Sequence, residues 1–302
     1  MAKVLPGGSS GVAVVDKPRG VTSHTVVAQA RRLFGRKDLG HAGTLDPMAT
    51  GVLLVLVGQA CKLSGYLTSD SKRYDAEITF GCATDTLDAE GRITREAPWT
   101  SEQLSRARVE AALAGERDRV GQVPPAVSAI KVDGERSYAL AREGNAPELP
   151  PRAVRVLELA LVELQPPRLS VSLWVSKGYY VRSLARDLGE RLGVPAHLSA
   201  LRRTASGPFT LAQACTWPAE QAPRLLSVAE AAASVLPACR IATAEAVGRA
   251  RQGKRLLESD FSELPKTSGP GAWLSPEGEL VAIGNVEGEL KVLRGFNSEP
   301  PR

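Results

Sequence analysis

The order of apolar and polar positions divides the 302-residue chain into short alternating runs and helical repeats. Residues 11–15, GVAVV, read as a strand ending at Asp16-Lys17-Pro18, because proline has no N–H for a ladder and pushes Lys17 toward extended backbone. In TSHTVVAQARRLFG the apolar Val26, Val27, Ala30, Leu33 and Phe34 recur at helical spacing; Thr22 or Ser23 caps the start and Gly35 suits the end. GVLLVLVGQA, residues 51–60, is apolar at successive positions and fits equally a strand buried on both faces and a buried helical segment. YDAEITF, residues 74–80, alternates as a half-exposed strand. TSEQLSRARVEAALAGE opens on a Thr100–Gln103 capping box and reads as a helix ending near Gly115.

Residues 121–151 are rich in proline, glycine and charge, as a surface excursion would be, with a short helix around Ser137 to Arg142. RLSVSLWVS sets Leu169, Val171, Leu173 and Val175 on one face of a strand, and YVRSLARDLGERLG repeats Val181, Leu184, Ala185, Leu188 and Leu192 at helical spacing. A strand therefore delivers SKGYYVR to a helix start. Past a boundary near Pro237 the tail reads as a helix followed by short strands with glycine turns. The fold class expected is α/β, more closely α+β: a mixed sheet with flanking helices, plus a small β-rich C-terminal domain.

Charge adds a mild preference for a polyanionic partner, since 38 Lys and Arg against 33 Asp and Glu leave a net charge of +5. The four cysteines and three histidines are scattered without a C-x-x-C pair, so neither a zinc site, nor any other metal site, nor a disulfide framework is expected. The N-terminus lacks a charged start followed by an apolar core, and the longest strongly apolar run, VLLVLV at 52–57, is far below the ~20 residues of a membrane span. A cytoplasmic protein with no membrane association is expected.

The chemistry concentrates in GHAGTLDPMATG, residues 40–51. Asp46 precedes a proline and sits between Gly43 and Gly51, so a stiff, tight loop presents its carboxylate. An Asx-turn is one use for it. An acid pair is another, but nothing selects a second member among Asp16, Asp38, Asp85 and Asp88. A hydroxyl triad is not identified by spacing, and the usual metal-ligand clusters are missing. The functional option left is a single carboxylate acting as nucleophile or base.

GHAGTLDPMATGVLLVLVGQACK resembles the pseudouridine-forming motif of the TruB family, the bacterial tRNA pseudouridine-55 synthases. DKPRGVTS, KRYDAEITFGCATDTLDAEG, QVPPAVSAIKVDGERSYALAREG, RAVRV, SKGYYVRSLARDLGERLG and LRRTASG also resemble family segments and occur in the family's order. Ordered motifs over about two hundred residues are far more specific than a lone G-T-L-D-P. Tyr179 departs from the pattern, in which a threonine or another residue more often stands there.

The resemblance implies the pseudouridine synthase fold over residues 1–237, with an RNA-clamping excursion at 121–151, and a PUA-like RNA-binding domain over 238–302. It implies that Asp46 is catalytic, with Arg182 as its positive partner, and that Tyr74 packs on the uracil. Tyr180 supports the pocket, Leu201 lines it, His41 enters the space left by the flipped nucleotide, and Lys17 supports the wall. Arginines 182, 186, 191, 202 and 203 suit phosphate contacts. The implied partner is the T arm of tRNA, with no cofactor, no obligate protein partner and a monomeric state. Two alternatives stand beside this reading: a guide-dependent RNA pseudouridine synthase, and a tRNA-binding folding chaperone.

Overall fold

The first strand, Gly11–Lys17, is buried at every residue but Asp16 and pairs in parallel with Cys215–Thr216, Val15 opposite Cys215. The computed structural model describes residues 9–68, 71–128, 131–132, 135–136 and 149–297. The amphipathic run after Pro18 forms the helix Ser23–Phe34, with Val26, Val27 and Ala30 buried. Its cap is Thr22, whose hydroxyl accepts the Thr25 N–H at 3.0 Å, and Gly35 ends it at φ +62°. GVLLVLV resolves as a strand, Thr50–Val57, buried at every position after Thr50. Two covered faces explain why its sequence shows no period; each such Leu or Val contributes about 1.5–3 kcal/mol.

The chain divides into two compact units. One holds the described residues of Met1–Asp46, Val52–Asp70 and Ser206–Arg302; the other holds Pro47–Gly51 and the described residues of Ser71–Ala205. In the first, Leu39–Ala42 runs antiparallel to Thr50–Val57 with His41 opposite Val55. The tail of that unit is a five-stranded sheet in the order Phe261–Glu263, Ala238–Ile241, Pro270–Leu274, Leu280–Asn285, Val292–Gly295. The helix Ala244–Arg251 packs Ala246, Val247 and Ala250 into a core with Cys239, Ile241, Trp273 and Val281.

In the second unit the strands run Val156–Gln165, Arg168–Val175, Lys72–Phe80, Ala196–Ser206, the first three antiparallel in turn. Leu169, Val171, Leu173 and Val175 are buried as their alternation predicts. Lys72, Tyr74, Ala76, Ile78 and Phe80 share the buried face of the next strand. Helices Arg106–Arg117 and Val181–Leu192 pack on each other.

One expectation is corrected here. Thr100 and Gln103 do exchange capping-box hydrogen bonds, but the box closes an isolated turn. Ser105 is extended (φ −63°, ψ 147°), so the helix starts at Arg106 and passes through Gly115 to Arg117. Residues 121–151 begin in paired structure, with Gly121–Gln122 antiparallel to Arg152–Ala153 and Lys131–Val132 to Glu135–Arg136. The short helix expected around Ser137 to Arg142 lies outside the described residues. No helix among the described residues is long and apolar enough to cross a membrane.

Candidate active site

The loop that carries Asp46 is held on both flanks by side-chain and backbone hydrogen bonds. Before it, Ser23 is buried at the start of its helix; its hydroxyl accepts the Leu45 N–H at 2.9 Å and donates to the Leu45 carbonyl at 3.2 Å. One hydroxyl thus satisfies both backbone groups of the residue preceding the aspartate. After it, Thr50 and Gly51 pair in parallel with Arg202 and Arg203. Arg202 Nη1 donates to Thr50 Oγ1 at 3.3 Å, and Thr50 Oγ1 to the Leu201 carbonyl at 3.5 Å. Met48 and Ala49 are buried between these anchors.

Gly51 explains the second glycine of the motif. Its φ is +104°, and a Cβ there would meet the Arg203 carbonyl oxygen and lie 2.7 Å from the Arg203 nitrogen. Gly51→Ala should therefore lower stability by about 1–3 kcal/mol for the dihedral alone. Urea denaturation measures it; an unchanged midpoint would show that the strand pair yields.

The remaining residues of interest in this unit sit close by in sequence. His41 meets His24 of the first helix edge to face, ring centroids 5.1 Å apart and planes at 85°. His24 is exposed, and no motif singles it out. Lys17 is 0% exposed and its ammonium donates to the carbonyls of Pro18 and Val21, both at 2.8 Å. It closes the PRGV turn from within.

The other unit carries Tyr74, Tyr180, Arg182 and Leu201. Tyr74 is on the buried face of Lys72–Phe80, and Leu201 is buried in the neighbouring strand. Tyr180 is the extended residue that opens the helix Val181–Leu192. Arg182, at 5% exposure, donates from Nη1 to the Thr86 carbonyl at 2.9 Å and from Nη2 to the Val127 carbonyl at 3.0 Å. Its Nε faces Asp88 Oδ2 at 3.7 Å.

The TDTLDAEG loop is built to hold that guanidinium. Asp88 Oδ1 accepts from Thr86 Oγ1 at 2.6 Å and from the Glu90 N–H at 3.1 Å, and Asp85 Oδ1 accepts from the Arg92 N–H at 2.9 Å. Leu87 between them is left-handed at φ +64°, a conformation that costs a non-glycine residue about 1–2 kcal/mol. Both acids thus organise the loop, and Asp88 also faces Arg182.

The arginine cluster is revised. Arg182 and Arg203 are interior, the latter 1% exposed, so they do not offer themselves to a phosphate in solvent. Arg186 is bound to Asp187 at 2.7 Å and to the Val123 carbonyl at 3.1 Å, and Arg191 to the Ala112 carbonyl at 2.9 Å. Tyr179, the departure from the motif, has a partner. Its hydroxyl donates to Glu116 Oε1 at 2.8 Å, and burial pushes that phenol well above its ordinary titration range. Burial likewise raises the Glu116 carboxyl, against the lowering pull of the Tyr179 hydrogen bond and of Arg119.

The fold is mixed α/β; one unit carries Asp46 after the anchored Leu45, and the other carries the buried Arg182 with Tyr74 and Tyr180 on separate elements. A chain from the crystal structure of a Cbf5–Nop10–Gar1 complex has the same fold: TM-score 0.72 at 24% identity, over 99% of this chain and 87% of that one. The TruB family pseudouridylate synthase N-terminal domain matches residues 31–181, and the tRNA pseudouridylate synthase B C-terminal domain matches residues 182–227. The tRNA pseudouridine synthase B of Thermobifida fusca is 43% identical over 284 residues, 91% of this chain and 94% of that protein. That of Corynebacterium aurimucosum is 45% identical over 287 residues, 93% of each. The chain belongs to the TruB family of pseudouridylate synthases.

Proposed function

We propose that this protein isomerises a uridine, position 55 in the T-arm loop of tRNA, to pseudouridine, in the cytoplasm. The reaction breaks the bond from ribose C1′ to N1, turns the base, and forms a bond from C1′ to C5; the C5 proton leaves and N1 takes one up. Composition is conserved, so one carboxylate suffices to start it. Ionised Asp46 acts on the sugar, by attack at C1′ or by removing a sugar proton.

The observation that carries this reading is Asp46 in a loop anchored at Leu45 and again at Thr50 and Gly51, within a chain 43% identical to a tRNA pseudouridine synthase B along 91% of its length. Anchoring limits the reorganisation needed when a bound nucleotide arrives. The base must leave its stack to be reached, and an extruded base is held against an aromatic face. Tyr74 takes that role, Tyr180 and Leu201 complete the pocket, His41 fills the vacated stack, and Arg182 supports the site. Lys17 supports the wall. We assign residues 238–302 to a PUA-like RNA-binding domain, in keeping with the five-stranded sheet that begins at Ala238, and residues 1–237 to the catalytic domain.

Tritium release from tRNA labelled at uridine C5 tests the reading. Release at one T-arm uridine is expected, mapped by reverse-transcription stops after carbodiimide treatment. Bound tRNA with no release would sink it.

A further inference from the structure

Gln122 is 2% exposed and lies in the two-residue strand Gly121–Gln122, where it pairs with Arg152. Its carboxamide reaches the Tyr180 peptide, 58 residues away in sequence, and pairs both of its backbone groups. The Tyr180 N–H donates to Gln122 Oε1 at 2.8 Å, and Gln122 Nε2 donates to the Tyr180 carbonyl at 3.1 Å. A primary amide carries donor and acceptor on one plane, so it engages a peptide as a neighbouring strand does. Ionised carboxylates lack the donor, and aliphatic side chains lack both groups.

The peptide it holds needs an outside partner. Tyr180 opens the helix Val181–Leu192 with φ −107° and ψ 113° and no side-chain cap, and an N-cap N–H has no place in the helical ladder. The same segment grips the following turn: the Val123 carbonyl accepts from Ser183 Oγ at 2.9 Å, and the Val127 carbonyl from Arg182 Nη2 at 3.0 Å. Tyr180 is half-buried, and the Gln122 pair fixes its backbone.

We propose that Gln122 is a positioning residue for the isomerisation, its carboxamide fixing the Tyr180 peptide and thereby the placements of the Tyr180 ring and the Arg182 guanidinium that turnover requires. This rests on the roles given to Tyr180 and Arg182 above. Misplacing such groups by about 1 Å costs on the order of 100-fold in rate, and it does so mainly in kcat, since a mobile ring still contacts the base but is less often in reacting geometry.

Two variants test it, assayed by tritium release from C5-labelled tRNA beside the native protein. Gln122→Leu fills the same space and removes both hydrogen bonds; kcat should fall about 10- to 100-fold while KM moves less than about threefold. Gln122→Glu separates placement from folding. Its buried carboxyl restores the donor when protonated, so its kcat relative to native at the same pH should rise at least about fivefold between about pH 8 and pH 6. The charged groups on the flanking elements are Arg119 on the Gly121 carbonyl at 3.3 Å, Arg186 on the Val123 carbonyl at 3.1 Å, Arg182 on the Val127 carbonyl at 3.0 Å, and Asp187, which bridges Arg119 and Arg186. Native-like kcat in both variants, a loss confined to KM, or a ratio flat in pH would overturn the inference. A native protein that releases no tritium would overturn the functional reading and this inference together.

Discussion

Asp46→Asn should lower tritium release by on the order of 10⁴-fold or more while leaving tRNA affinity within about threefold. Asparagine has the size of aspartate, and it supports an Asx-turn equally well, so the anchored loop keeps its form. What it lacks is the charge and the nucleophilic, basic oxygen. The substitution therefore separates the two uses of this residue that its place before Pro47 allows. Single-turnover rates and filter binding on one tRNA preparation decide between them. Activity within about tenfold of native would return Asp46 to a turn residue and move the chemistry elsewhere.

How far the fold could be read in advance depended on whether each signal was local. The helix Ser23–Phe34 was legible because its stripe, its cap and its closing glycine all lie within the run itself. Thr50–Val57 stayed ambiguous because a strand covered on both faces has no period to display. Val156–Gln165 shows no strand signature in the sequence: its exposed and buried positions do not alternate cleanly, and it lies at the edge of its sheet. The capping box at Thr100 was visible, but whether the chain continues as a helix after it depends on Ser105, whose extended backbone no pattern announces.

The candidate site divides the same way. Asp46, Tyr74 and Arg182 were reached through motifs, while Ser23 as the anchor of Leu45 and Gln122 as the anchor of Tyr180 depend on contacts 22 and 58 residues apart. Tyr179 shows how a departure from a motif becomes intelligible in three dimensions. Its phenol supplies a donor to a carboxylate that the fold buries completely, and that pairing has no signature in either segment alone.

That carboxylate is the centre of the other large expected effect. Glu116 is 0% exposed and meets Arg119 Nε at 2.6 Å; Arg119 Nη2 reaches on to Asp187 Oδ2 at 2.8 Å, tying the end of one helix to the middle of the next. Arg119→Met keeps most of the volume and strands two buried acids, so unfolding free energy should drop by about 3 kcal/mol. The low end of the range for broken buried pairs is expected because Arg191 still faces Glu116 at 3.7 Å and Arg186 still holds Asp187. The effect should depend on pH with a definite sign. Burial raises the Glu116 carboxyl above its ordinary value of 4.5, so the native state binds its proton more readily than the unfolded chain does. Stability from this group is then greatest below that ordinary value and is lost as pH rises through the folded-state value. Removing Arg119 takes away a charge that pulls the carboxyl down, which widens the window upward. Urea unfolding should accordingly show a larger deficit at about pH 7.5 than at about pH 5, and Glu116→Gln added to Arg119→Met should recover part of it. A deficit below about 1 kcal/mol at both values would mean that Arg191 and Arg186 alone neutralise the pair.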